Sequence, residues 1–167
     1  MRVAWVAVTA GLLGAAAGAM RAATRLDRLH VRTDAAWAAL DAALYRRAVA
    51  ASALHGHGAL RRAAHAALLA GGPSVREEVE NELGRALSAL DRCGLEPGCA
   101  GRLAEAEQAV VIARRVYNDA VRDTLALRSR RLVRWLRLAG TAPLPRYFEI
   151  VEPALPAYGL ELDGAGA

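Results

Sequence analysis

LAEAEQAVVIARRVYNDAVRDTLAL, residues 103–127, sets Leu103, Ala106, Val110, Ala113, Tyr117, Ala120, Thr124 and Leu127 at steps of three and four. That period puts them all on one face of an α-helix. The pattern is a heptad seam, and a seam asks for a facing helix. Arg115 and Asp119, four apart on its flank, are placed to support each other. The spacing predicts a helix that runs on to about Leu138.

The partner is visible upstream. Residues 21–54 hold no Gly and no Pro. Leu26, Leu29, Trp37, Leu40, Leu44 and Leu54 keep a helical stripe padded by Ala48 and Ala51. HGHG, residues 55–58, interrupts it, since glycine weakens a helix by about 1 kcal/mol per residue. A second stretch, residues 59–70, ends at Gly71-Gly72-Pro73. Ser74 with Glu77 reads as a capping box opening a helix with Val79, Leu83, Leu87 and Leu90 as its buried stripe. The acidic residues Glu77, Glu78, Glu80 and Glu82 then follow from the positive end of the helix dipole. No strand alternation occurs. The expected fold is all-α: an antiparallel bundle of three to four long helices behind an N-terminal transmembrane helix. A sharp break at HGHG gives four helices and returns the last one to the membrane. A mere kink gives three and points it away.

VAWVAVTAGLLGAAAGAM, residues 3–20, is uncharged. As a helix it rises about 27 Å, close to the ~30 Å hydrocarbon layer. Ala17-Gly18-Ala19 also fits a small-x-small signal-peptidase pattern, and a soluble or interfacial helix is a further reading. Charge favours the anchor. Only Arg2 and the amino group precede the run, whereas Arg21, Arg25, Arg28 and Arg32 follow it against Asp27 and Asp34. Positive charge marks the cytoplasmic side. The expectation is therefore a single-pass inner-membrane protein with its N-terminus outside and its bundle in the cytoplasm. The alternative is an exported envelope bundle freed from a cleaved signal peptide. Gly14 and Gly18 form a GxxxG, which permits self-association of membrane helices. The expected divisions are an anchor at 1–22, a bundle at 23–140 and a Pro/Gly-rich extended tail at 141–167.

Composition narrows the chemistry. The chain is 54% hydrophobic but only 5% aromatic, which favours closely packed alanine-rich helices over a bulky core. All 22 basic residues are Arg. A phosphate-loop lysine, a Schiff-base lysine and a Ser–Lys dyad are thereby excluded. The net charge of +5 points to anionic partners. Cys93 and Cys99 are spaced too widely for a CxxC site. They are free thiols in a cytoplasmic bundle or a short disulfide loop in an exported one.

Two blocks carry a family resemblance. RLDRLHVRTDAAWAALDAALYRR, residues 25–47, supplies Trp37, Arg46 and Arg47. IARRVYNDAVRDTLAL, residues 112–127, supplies the Tyr117-Asn118 pair and is followed by Tyr147, Phe148 and Glu149. In this order the blocks resemble the LemA family over roughly residues 1–150. The resemblance implies an N-terminal membrane helix leading into a helical bundle, and no established enzymatic activity. The Pro-Asn that often follows the RR segment in that family is absent, and the Arg run after the YN helix departs from its usual pattern.

Three clusters remain. RSRRLVRWLRL, residues 128–138, offers Arg128, Arg130, Arg131, Arg134, Trp135 and Arg137 to a membrane surface or a partner, or as a solvated face with Trp135 in the bundle. No reader motif surrounds these arginines, so nucleic acid is disfavoured. His55, His57 and His65 lack nearby carboxylate or thiol ligands and read as solvated turn residues. Tyr117 falls on the seam and needs a partner for its hydroxyl. Asn118 is placed to bond a neighbouring helix or the tail, and Tyr147 and Phe148 to dock back on the bundle. No catalytic, cofactor or metal residues are expected. The expected role is a non-enzymatic scaffold or interaction module whose partners are the lipid bilayer, itself and an unidentified protein.

Overall fold

A computed structural model describes residues 2–135 and 143–150, apart from the side chains of 2–4, 7, 8, 73, 74 and 132. Among the described residues the regular structure is entirely helical: α1 Arg2–Ser52, α2 Gly58–Leu69, α3 Pro73–Ser88, α4 Pro97–Arg128 and α5 Arg131–Trp135.

α1 is one helix of 51 residues. It stops at the HGHG break, where Gly56 turns the chain at a φ of +86° that an L side chain rarely adopts. α2 folds back, and Ala48, Ala51 and Leu54 of α1 meet Leu60, Ala63, Ala64 and Ala67. Alanine at nearly every contact lets the axes approach closely. α3 adds Leu83 and Leu87 to the same cluster, and α4 enters it at Leu103.

α4 then runs antiparallel to α1. Leu40 and Leu44 share a cluster with Val110 and Tyr117, and farther down Leu26 shares one with Leu127. The seam residues from Leu103 to Leu127 are buried, with Ala113 partly so. α2 and α3 are too short to cover this pair along its length. The uncovered half is closed by residues 143–150, which carry no regular structure and place Phe148 and Ile150 in the core beside Leu40, Val110 and Val121. At the far end Val133 of α5 folds onto Leu26 and Leu127.

Three local expectations are corrected: the start of α3, the end of α4 and the partner of Asp119. α3 starts at Pro73 with Gly72 at its N-cap (φ +81°), so Ser74 lies inside the helix and is not its N-cap. α4 ends at Arg128 instead of running to Leu138. Ser129 Oγ donates to the Ala126 carbonyl at 2.8 Å, a local bond that competes with helix continuation. Asp119 pairs with Arg122 at 2.9 Å, not with Arg115. Among the described residues no helix is long and apolar enough to cross a membrane.

Candidate functional site

The N-terminal part of α1 stands clear of the bundle. Trp5, Val6, Leu12, Leu13 and Met20 are each 66–73% exposed. A Cβ added at Gly14 or Gly18 would meet nothing within 4 Å. Core packing begins only at Ala22 and Leu26. Because α4 is antiparallel to α1, its C-terminal end and α5 arrive at this same level. The arginines after the uncharged run and those of residues 130–134 therefore form one basic collar. Arg21, Arg25, Arg28, Arg130, Arg131 and Arg134 are exposed, and Trp135 is 83% exposed. Arg32 is neutralised by Asp123 at 3.0 Å. Arg128 is half-buried and donates to the Pro143 carbonyl at 3.1 Å, so it ties the C-terminal segment down. Arg137 lies outside the described residues.

The collar contains a notch between α1 and the α4–α5 junction, with a volume of about 240 Å³. Gly18, Arg21, Arg25, Leu127, Arg130 and Val133 line it. None of these three arginine side chains makes an ion pair among the described residues. Like charges share this space without a carboxylate among its walls, an arrangement that an anion would relieve.

The other singled-out residues converge elsewhere. Trp37 meets Tyr117 edge-on at 5.4 Å between ring centroids and Phe148 at 5.6 Å. Tyr117 donates its hydroxyl to the Arg146 carbonyl at 2.9 Å. Asn118 accepts from Phe148 N at 2.9 Å and donates to Phe148 O at 3.2 Å. Glu149 N donates to Glu77 Oε1 at 2.9 Å, which links the segment to α3. Tyr147 is 44% exposed, and Arg46 is exposed and apart from this group. These contacts lock a strap across the open half of the bundle. A cleft of about 440 Å³ remains beside it, lined by His30, Asp34, Trp37, Tyr117 and Pro143 among others. Burial, followed by the negative charges of Glu77 and Asp34, raises the Tyr117 pKa above its ordinary value.

A buried ionic cluster joins three helices. Arg47 of α1 donates to Glu80 of α3 at 2.6 Å, both side chains being essentially inaccessible. Arg76 pairs with Asp41 at 2.9 Å and donates to the carbonyls of Ala67 and Ala70 at 3.0 and 3.1 Å, which caps the end of α2. Its Nε stands 3.5 Å from Glu80 Oε1, and neither atom is hydrogen-bonded. That contact is held by charge alone. Arg92 closes the α3–α4 turn by a two-bond fork to Glu107 at 2.7 and 2.8 Å. Glu80 therefore serves as a buried counter-ion, a role the helix-dipole reading of its neighbourhood does not supply.

Cys93 and Cys99 are not joined to each other. His55, His57 and His65 are exposed, and among the described residues no three metal-ligating side chains cluster. No family model, curated protein or solved structure matches the chain.

Proposed function

We propose that this is a single-pass, membrane-anchored helical-bundle protein of LemA type, a non-enzymatic scaffold or interaction module held against the inner face of a membrane. The observation that carries the reading is the projecting end of α1. Its large apolar side chains are exposed and unpartnered, and contiguous exposed apolar surface of this kind marks a surface meant to be covered. Val3, Ala4, Ala7 and Val8 belong to the same run in sequence, though their side chains lie outside those described. Counted with them, the uncharged stretch has 18 residues.

The collar supports both the location and the orientation. The positive-inside bias visible after Met20 is strengthened when Arg130, Arg131 and Arg134 are gathered at the same level. An exposed indole at Trp135 suits a head-group boundary. The all-helical bundle is the architecture that the LemA resemblance implies, and Trp37, Tyr117, Asn118 and Phe148, four of the residues that carry that resemblance, meet in one lock.

Alkaline carbonate extraction of cells expressing the full chain tests this. The protein is expected in the membrane pellet at full length, with its C-terminus protected from protease outside intact cells. Recovery in the supernatant, or a mature chain starting near Met20, overturns the anchor. The second of those results would favour the exported alternative.

A further inference from the structure

We propose that the notch between α1 and the α4–α5 junction binds the phosphate of an anionic phospholipid, with Arg21, Arg25 and Arg130 as its ligands. The proposal deepens the membrane reading above and rests on it for the source of the phosphate. Three observations support it. First, three guanidinium-bearing side chains line one hollow of about 240 Å³ without a carboxylate. The planar fork of arginine matches phosphate oxygens, and no ion pair within the described chain competes for these three. Second, the other walls are apolar or open. Leu127 and Val133 line the notch, and Gly18 leaves its rim empty, with nothing within 4 Å of an added Cβ. A free inorganic anion gains nothing from such walls, whereas glycerol and the start of an acyl chain do. Third, the notch lies where the uncharged run ends, with Gly18 inside that run and Arg21 just beyond it. A helix entering a bilayer there holds the notch at phosphate depth.

The full chain in zwitterionic detergent is titrated with dihexanoyl-phosphatidylglycerol, with dihexanoyl-phosphatidylcholine and with inorganic phosphate. Phosphatidylglycerol is expected to saturate at least about tenfold tighter than the other two, with an affinity that falls as salt rises. The R25Q/R130Q variant is expected to lose about thirtyfold, the sum of two surface arginine–phosphate contacts. Gly18→Leu fills the rim without changing charge and is expected to weaken phosphatidylglycerol binding as well. R61Q/R62Q, two exposed arginines on α2, is expected to change nothing. Equal binding of both lipids, phosphate binding as tightly as phosphatidylglycerol, or undiminished binding by R25Q/R130Q each overturns the proposal. Carbonate extraction reports the anchor independently, so a failed anchor and a failed notch give different results.

Discussion

Asn118 and Phe148, 30 residues apart, are joined as two strands of a sheet would be: the side-chain amide of one accepts from N and donates to O of the other. One helical side chain thus satisfies both backbone groups of a residue that enters the core without a sheet around it. The bond pair sets where the strap sits, and the Phe148 ring, 2% exposed, fills the space that α2 and α3 do not reach.

Replacing Asn118 with Leu leaves both Phe148 backbone groups without that partner, at a cost of about 2–3 kcal/mol. Phe148→Ala empties the core at about 3–5 kcal/mol. Urea melts of the full chain measure both. Limited proteolysis should cut either variant within 143–150 first, while α1 and α4 persist. Uniform cleavage across the chain would show that the strap is no separate element.

Glu80→Gln removes the charge that Arg47 needs while keeping the volume. An uncompensated buried guanidinium costs about 3–5 kcal/mol. The double variant R47M/E80M removes both charges and is expected to recover most of that loss, since apolar replacement of a buried pair is often neutral or better. Thermal unfolding of both gives the comparison. A double variant as unstable as Glu80→Gln would mean that Arg76 cannot tolerate the loss of its contact with Glu80.

Tyr117 makes stability sensitive to alkali. Its phenol is raised above 10.0, first by burial and then by Glu77 and Asp34. Above its ordinary pKa the unfolded chain releases that proton while the folded chain keeps it, so folding loses stability as pH rises through the folded value. Below that range the contribution is intact. Tyr117→Phe forfeits the bond to Arg146, about 1 kcal/mol near neutral pH, but is spared the alkaline loss. Denaturant midpoints of the two proteins should therefore converge between neutral pH and pH of about 10.5. A constant gap would contradict the assigned burial.

Trp135 reports the collar. At 83% exposure its emission, read like that of Trp37 in single-tryptophan variants that also replace Trp5, should shift to the blue and be quenched by lipids brominated near the head group when the chain is placed in bilayers. Trp37, packed against Tyr117 and Phe148, should remain unquenched. Quenching of Trp37 and sparing of Trp135 would place the bilayer on the wrong face.

The sequence displays the helical pair plainly because the seam of α4 and the stripe of α1 are long and periodic. The strap is half visible: Tyr117, Asn118 and Phe148 stand out, but no local period says that an extended segment enters a helical core. The ionic cluster is hidden by the habit of assigning charge to the surface. A usable signal was nevertheless there. Arg47 falls in step with Leu40, Leu44, Ala51 and Leu54, and Glu80 in step with Leu83 and Leu87, so opposite charges occupy inward positions on two helices. The early end of α4 was illegible for a different reason, since Leu132, Val133, Trp135 and Leu136 keep the apolar count high past the place where Ser129 stops the helix.

α1 carries one further implication. Its 51 residues, with no proline among them, span about 76 Å along the axis. Leaning its amino end by about ten degrees sweeps the HGHG corner sideways by roughly 13 Å. A small reorientation at one end of so long a helix becomes a large displacement at the other.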